Sequence, residues 1–167
     1  MISGAEKEVI ELSEKGNIPV ASTLLGLSSF PPDHPNYVGY LGMHGNYAPN
    51  VLTNECDVLI AIGMRFDDRV TGDTKRYATK AKVVHIEIDP SEIDKIIKSE
   101  VGINSDAKQA LQLLNQKIEK ADHSDWIEQF KILDKEEYEK VIKADIYPEG
   151  KELKMGEVIR LLSEISN

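Results

Sequence analysis

The residues best suited to bind a ligand lie in one short segment, 63–72, with the sequence Gly-Met-Arg-Phe-Asp-Asp-Arg-Val-Thr-Gly. Arg65 and Arg69 carry planar guanidinium groups that match the geometry of a phosphate or a carboxylate. Asp67 or Asp68 could hold one of these groups in a fixed orientation. The pattern therefore predicts an anion-binding loop, although a surface loop whose charges neutralise one another would have the same composition.

A second candidate segment, Leu41-Gly-Met-His-Gly45, contains two glycines three residues apart. Glycine lets a backbone approach a ligand closely, and this segment leaves amide groups free where a helix could begin. His44 could contact that ligand, but a lone histidine between glycines is more often a turn residue. The sequence lacks the dinucleotide fingerprint G-x-G-x-x-G, so a nicotinamide site of the usual kind is not expected.

A third candidate segment, Glu87-Ile-Asp89, ends a strongly apolar run. A carboxylate in such a position is what nucleotide-binding sheets use to accept hydrogen bonds from ribose hydroxyls. Asp106 follows the next predicted strand and precedes a helix, where it could contact a ligand or simply cap that helix. The pattern leaves both roles of Asp106 open.

The other reactive residue types predict no catalytic group and no metal site in this chain. His34, His85 and His123 lack metal-ligand spacing, so structural roles are expected for them. The single cysteine, Cys56, lies beside Asp57, whose charge would raise the pKa of the thiol rather than lower it. No acid–base pair and no nucleophile motif stands out.

Short apolar runs alternate with helical patterns, which predicts an α/β fold: a doubly wound, mostly parallel, Rossmann-like sheet with helices on both faces. Ligands bind where the carboxyl ends of such strands meet. The predicted strands span residues 18–22, 37–41, 57–62, 82–88 and 101–104. The predicted helices are one that begins with a Ser3–Glu6 capping box and ends at Gly16, and others at 48–55, 73–79 and 107–120.

The composition changes near Asp122 and divides the chain into three segments. Residues 1–121 are predicted to form the α/β domain. Residues 122–150 are strongly charged and are predicted to form a helical linker, and 151–167 form an amphipathic C-terminal helical extension.

With 167 residues, 41% of them hydrophobic, the chain has the size and composition of one globular domain. Its formal net charge of −9 offers no basic face for nucleic acid or for an anionic membrane surface. The single cysteine excludes an intrachain disulfide, and no secretory-signal or transmembrane pattern is found. We therefore expect a cytoplasmic protein that binds neither nucleic acid nor a membrane.

Four motifs, in this order, resemble the central domain of the acetolactate synthase large subunit, a family also called acetohydroxyacid synthase. They lie at residues 20–31, 41–45, 63–72 and 84–93, with Asp106 downstream. The string Arg-Phe-Asp-Asp-Arg-Val-Thr-Gly alone separates this family from most other thiamine diphosphate enzymes. The resemblance covers nearly the whole chain.

The resemblance implies an FAD site and part of a substrate channel. In the channel, Arg69 would bind the carboxylate of a second 2-ketoacid, Asp68 would orient Arg69, and Met43 would lie on the same wall. The residues implied for FAD are Thr23, Leu24 and Leu25 along the flavin; His44, Gly45, Gly63 and Arg65 in the main contact segment, with Arg65 at the phosphates and Asp67 close by; Glu87, Ile88 and Asp89 on the ribose side; and Asp106 at the adenine end.

The resemblance further implies that the chain is one domain of a larger enzyme. The complete subunit would decarboxylate pyruvate on thiamine diphosphate and join the resulting hydroxyethyl group to a second 2-ketoacid, in branched-chain amino-acid biosynthesis. Thiamine diphosphate and Mg²⁺ would be bound outside this chain, so the isolated chain should be inactive. The expected partners are the remaining domains of the subunit, further copies in a homo-oligomer, a regulatory small subunit and the 2-ketoacid substrate.

The chain starts just after the position of the family's first central-domain strand, so that strand is expected to be missing. An unpaired sheet edge should result. The resemblance also makes residues 151–167 the start of the thiamine diphosphate-binding domain, so the apolar helix at 154–165 should be exposed without its usual partner. Both features favour self-association. Leu25 and Asn46 stand where methionine and threonine are more usual in the family. Two alternatives stay open: another thiamine diphosphate enzyme, of the pyruvate oxidase or glyoxylate carboligase type, and a non-catalytic nucleotide-binding module.

Overall fold

The computed structural model describes residues 2–150 and 152–166, and it contains five short parallel strands in two sheets. The first sheet pairs β1 (Val20–Ser22) with β2 (Tyr37–Tyr40). The second sheet has the order β3 (Val58–Ile62), β4 (Lys82–Glu87), β5 (Val101–Asn104). The predicted α/β fold of parallel strands flanked by helices is confirmed, and each strand ends within two residues of its predicted bounds.

Seven α-helices lie within the described residues: α1 (Glu6–Gly16), α2 (Tyr47–Leu52), α3 (Asp68–Thr71), α4 (Ala107–Asn115), α5 (Ser124–Glu137), α6 (Lys143–Ile146) and α7 (Met155–Ser166). A 3-10 helix covers Leu24–Gly26, and a π-helix, Tyr138–Ile142, joins α5 to α6. The predicted C-terminal helix is present as α7; of the segment 151–167, residues 151 and 167 lie outside the described residues. No helix in the described ranges is long and apolar enough to span a membrane.

The prediction of a capping box at the amino terminus is wrong. Helix α1 begins at Glu6 directly after Ala5, and no side chain caps it. Glu6 is therefore the first residue of the helix rather than the third, so Ser3 and Glu6 do not occupy the N-cap and N3 positions that a capping box requires. The other end of α1 agrees with the prediction: the helix ends at Gly16, and Asn17 follows in the left-handed conformation.

The prediction of a helix at 73–79 is also wrong, because this segment forms turns. The Asp73 carboxylate accepts the N–H of Lys75 at 3.0 Å, a local bond that competes with helical hydrogen bonding. The N–H of Ala78 donates to Oδ1 of Asn54 at 2.8 Å, and Ala78 itself has a φ of 46°. The partner of Ala78 lies far back along the chain, so a local pattern does not reveal it.

The main core lies between the strands of both sheets and the helices α1 and α4. Phe30, Ile86 and Leu111 are almost fully buried, and α1 contributes Val9 and Leu12. Apolar strand residues from both sheets pack against this cluster: Val20, Tyr37, Ile60, Ile62, Val84 and Ile103. Helices α1 and α4 therefore bridge the two sheets on one face.

A second cluster lies under the segment that connects β3 to β4, where Ala61, Phe66 and Val83 are buried. A third cluster joins α2 to α5, and in it Trp126 packs edge-on against Phe130 with ring centroids 5.5 Å apart. This aromatic pair therefore holds α5 against α2.

The buried hydroxyl of Tyr77 has no hydrogen-bond partner within the described part of the chain. Burial, and next the proximity of Cys56, raise the pKa of this phenol, so it stays protonated. Tyr77→Phe removes an unsatisfied buried group and should raise the free energy of unfolding in urea by about 1 kcal/mol. The matched change Tyr138→Phe, at an exposed site, should have no effect. A clear loss of stability in Tyr77→Phe would contradict the absence of a partner.

Candidate cofactor-binding edge of the sheets

The loops that carry the predicted site residues follow the carboxyl ends of parallel strands, so within each sheet they lie at one edge. A main-chain hydrogen bond joins the two edges: the N–H of Met43 donates to the carbonyl of Arg69 at 2.7 Å. We call the resulting surface the carboxyl edge. It comprises residues 23–25, 41–45, 63–69, 87–89 and 104–106.

Gly42 permits the contact between the two sheets. Its φ is +115°, and a Cβ at this position would lie 2.7 Å from the carbonyl oxygen of Arg69. Asn50 holds Gly42 in place, because its Oδ1 accepts the N–H of Gly42 and its Nδ2 donates to the carbonyl of Gly42, both at 3.0 Å. The glycines were expected to admit a ligand; in the structure, Gly42 admits the backbone of another loop.

The same contact brings together two residues that were predicted to share the substrate channel. Nη1 of Arg69 lies 3.8 Å from Sδ of Met43, and both side chains are exposed. His44 is also exposed, within a turn in which the N–H of Gly45 donates to the carbonyl of Gly42 at 2.8 Å. His44 therefore lies in a turn, as its position between two glycines favoured.

Asp67 organises the arginine loop. Its Oδ1 accepts the N–H of Arg69 at 3.1 Å, which caps the short helix α3. Its Oδ2 lies 3.5 Å from Nη2 of Arg65. Asp68, which was predicted to orient Arg69, lies 4.0 Å from Nε of Arg69, and both of these side chains are largely exposed. Arg69 is therefore only loosely paired and can bind an anion, while Asp67 fixes the backbone beneath it.

Apolar side chains occupy the end of the carboxyl edge that follows β1 and β2. Leu24 and Leu25 are 66% and 92% exposed in the 3-10 helix, and Met43 is 62% exposed. The helix begins at Thr23, whose carbonyl accepts the N–H of Gly26 at 2.9 Å. Clustered exposed apolar side chains mark a surface that is suited to cover an apolar group.

Acidic residues occupy the end that follows β4. Oε1 of Glu87, a buried residue, accepts the N–H groups of Ile88 and Asp89 at 2.8 and 3.2 Å. Hydrogen bonds from Ser91 lower the pKa of Asp89, so this exposed side chain is a carboxylate at neutral pH. Nδ2 of Asn104 donates to the carbonyls of Glu87 and Ile88 at 3.0 and 2.9 Å. The end of β4 is thus held rigidly, with Asp89 facing solvent.

Asp106 caps helix α4. Its Oδ1 accepts the N–H groups of Lys108 and Gln109 at 2.9 and 3.3 Å. The capping role that the sequence left open is therefore present, and contact of Asp106 with a ligand stays a prediction.

Sequence reasoning missed Asn50 and Asn104, which fix the backbone of the carboxyl edge. Asn104 ends β5, and a polar residue at the end of a predicted strand is a signal that could have identified it. Asn50 lies within α2 and has no comparable signal, because its partner, Gly42, is set by the turn that precedes the helix.

No group of three His, Cys, Asp or Glu side chains that could hold a metal ion occurs among the residues placed by the structure. Burial, followed by the charge of Asp57, raises the pKa of the Cys56 thiol, as the sequence predicted. A raised thiol pKa does not favour a nucleophilic role.

Three kinds of surface follow one another along the carboxyl edge. Leu24 and Leu25 are apolar, Arg65 and Arg69 are cationic, and residues 87–89 carry the carboxylates. Their order follows from the contact between the loops after β2 and β3 and from the pairing of β3 with β4. This arrangement fits a ligand that has an apolar ring system, an anionic middle and a sugar with free hydroxyls.

Comparison with known proteins identifies a family and several relatives. The family described as "Thiamine pyrophosphate enzyme, central domain" matches residues 1–114. The chain is 52% identical to a probable acetolactate synthase large subunit of Methanocaldococcus jannaschii. The 112 aligned residues are 67% of this chain and 19% of that relative. The chain is also 45% identical to acetolactate synthase 1 (chloroplastic) of Zea mays. The 113 aligned residues are 68% of this chain and 18% of that relative. The chain thus matches about a fifth of the length of these relatives.

Proposed function

Since the chain belongs to the family of thiamine pyrophosphate enzyme central domains, we propose that it is the central domain of an acetolactate synthase catalytic subunit and that its carboxyl edge holds FAD. The similarity to acetolactate synthases from an archaeon and a plant supports the first part. The second part rests on one observation: apolar, cationic and acidic residues follow one another along one edge of the sheets. FAD has the matching order of flavin ring, diphosphate and ribose.

The residues of the carboxyl edge fit FAD in chemical type. Leu24 and Leu25 would cover the apolar ring system, and Arg65 would bind the diphosphate through charge-assisted hydrogen bonds. Asp89, whose pKa is lowered, would accept hydrogen bonds from ribose hydroxyls. In the reaction implied for the complete enzyme, FAD supplies no net redox step, so these residues only bind and orient it.

Arg69 and Met43 would form the wall against which the second 2-ketoacid binds. The guanidinium of Arg69 is exposed and only loosely paired with Asp68, so it is free to take a carboxylate in a bidentate manner. Met43 contacts Arg69 and offers an apolar surface to the rest of the substrate.

The partners in this proposal are the remaining domains of the subunit, further copies of it and a regulatory small subunit, with thiamine diphosphate and Mg²⁺ bound outside this chain. Helix α7 supports a contact with a neighbouring domain, because Ile159, Leu162 and Ile165 are exposed along it. The isolated chain would then have no activity of its own.

The sheets support one more element of the proposal, a further parallel strand between β1 and β3. Among residues 2–150 and 152–166, β1 is paired only with β2 and β3 only with β4. Of the five residues of β3 only Ala61 is buried, whereas four of the six residues of β4, which is paired on both sides, are buried. Because α1 and α4 already contact both sheets, the added strand would complete one continuous sheet.

Extending the chain at its amino terminus with the preceding residues of its parent subunit should slow amide hydrogen exchange in β3. The affected amides are those that face away from β4, because they have no strand partner at present. Amides of β4 are bonded on both sides and serve as the internal control. Unchanged exchange in β3, measured by NMR, would contradict the added strand.

A titration of the 167-residue chain with FAD tests the binding site directly. Flavin fluorescence should saturate, and thermal stability should rise with ligand concentration as RT ln(1 + [L]/Kd). Arg65→Ala should weaken binding by about tenfold, since it removes a charge-assisted contact to the diphosphate. Arg76→Ala, at an exposed arginine outside the carboxyl edge, should bind FAD normally. A chain that unfolds cooperatively and shows no saturable binding would overturn the second part of the proposal, that the carboxyl edge of this chain holds FAD.

A further inference from the structure

His85 is a fully buried histidine in the middle of β4, and it is not among the predicted site residues. It is paired in register with Ala61 of β3 and Gly102 of β5. Its Nε2 lies 2.9 Å from the carbonyl oxygen of Met64. Because a carbonyl oxygen only accepts hydrogen bonds, Nε2 must carry the proton.

The other ring nitrogen of His85 is unsatisfied. Nδ1 is buried and has no hydrogen-bond partner among residues 2–150 and 152–166. An unpaired buried polar atom costs free energy, and an apolar side chain in this central strand would avoid that cost. What the imidazole adds at this position is therefore its bond to Met64 and its ring contact with Phe66.

The bond to Met64 holds a strained loop. Phe66 follows two residues later with a φ of +55°, a left-handed conformation that is costly for an aromatic residue. Such a conformation persists only where the surroundings fix it. The buried ring of Phe66 packs edge-on against His85, with centroids 5.0 Å apart, and more distantly against Tyr77 at 6.2 Å. His85 thus contacts both residues that flank Arg65.

We propose that His85 is a positioning residue of the carboxyl edge: its Nε2–H fixes the Met64 carbonyl, its ring fixes Phe66, and together these contacts hold the loop that carries Arg65 and Arg69. The connection to Arg69 runs through Asp67, which follows Phe66 and caps α3. This inference rests on the proposed function, because it matters for binding only if the two arginines bind an anionic ligand.

A matched pair of variants separates the hydrogen bond from packing. His85→Gln retains an N–H donor close to the position of Nε2, whereas His85→Met fills a similar space without one. Limited trypsin digestion of the folded 167-residue chain cuts after Arg65 and Arg69 when the loop opens, and cleavage after the exposed Lys120, in the segment between α4 and α5, provides the internal reference.

Relative to Lys120, cleavage at Arg65 and Arg69 should rise about tenfold in His85→Met and stay within about twofold of the wild type in His85→Gln. Equal acceleration in both variants would mean that His85 acts by packing alone and would overturn the proposal. Unchanged cleavage in both would overturn it as well.

A measurement on the wild-type chain covers the case in which His85→Met does not fold. The ¹⁵N chemical shifts of His85 report which nitrogen carries the proton, and the proposal requires a proton on Nε2. A proton on Nδ1 alone would overturn it.

Titrating the same variants with FAD keeps this inference distinct from the proposed function. If the wild type binds FAD, His85→Met should bind it more weakly than His85→Gln, and equal affinities would overturn the positioning role. If the wild type does not bind FAD, the proposed function fails, and the digestion and tautomer results still decide how His85 acts on the loop.

Discussion

Replacing Gly42 with alanine should destabilise the chain by about 3 kcal/mol and separate the two loops that form the carboxyl edge. The new Cβ would lie 2.7 Å from the carbonyl oxygen of Arg69, and a φ of +115° is unfavourable for any L-residue with a side chain. The opposing atom is backbone, and Asn50 holds Gly42 from both its N–H and its carbonyl. Neither side can therefore move away cheaply.

Gly4→Ala is the matched control for the backbone part of this effect. Gly4 also has a positive φ, +60°, but a Cβ there would meet no atom within 4 Å. It should cost only about 1 kcal/mol, the penalty of a left-handed conformation. Urea unfolding of both variants measures the difference, and equal losses would contradict the importance of the Gly42–Arg69 contact.

If the proposed function is correct, Arg69→Ala in the complete subunit should lower kcat/KM for the second 2-ketoacid by about 100-fold, which corresponds to the loss of roughly 3 kcal/mol from a desolvated bidentate ion pair. Its affinity for FAD should change by less than about threefold, because Arg65 rather than Arg69 is assigned to the diphosphate. The physical reason is the position of Arg69: it is exposed at the carboxyl edge, lies beside Met43 and is only loosely paired with Asp68.

Two further variants show whether this effect depends on the planar guanidinium group of Arg69. Arg69→Lys keeps the charge but loses the planar pair of donors, so its kcat/KM should fall between those of the wild type and Arg69→Ala. Arg65→Ala should show the reverse pattern, with weakened FAD binding and a smaller effect on the ketoacid once FAD saturates. If Arg69→Ala reduces FAD affinity and ketoacid use equally, the separate roles of the two arginines are wrong.

The strands could be predicted from sequence because their composition alone indicates burial in a parallel sheet. The runs 58–62 and 82–87 are nearly continuous in apolar residues, and each lies within one residue of its predicted bounds. The helix predicted at 73–79 failed because two side chains, Asp73 and Asn54, bond the backbone of this segment instead. Local periodicity carries no information about the second of these contacts.

The site could be predicted in its segments but not in the contacts between them. The arginine loop and the glycine turn were selected by residue type at predicted strand ends, although a surface loop whose charges neutralise one another has the same composition. The hydrogen bond from Met43 to Arg69 and the bonds of Asn50 to Gly42 depend on how separate loops meet. His85 was expected to be structural, and its burial agrees, but its contact with Met64 follows only from the register of β3 and β4.

Hydrogen–deuterium exchange of the 167-residue chain with and without saturating FAD tests most directly whether the carboxyl edge is a flavin site. Exchange should slow in the segments 23–25, 41–45, 63–69 and 87–89, while helices α5 to α7 should exchange as before. These segments are far apart in sequence and adjacent only through the fold, so their joint protection would identify the edge as the binding surface. Exchange that is unchanged in all four segments, or slowed only in α5 to α7, would contradict the account.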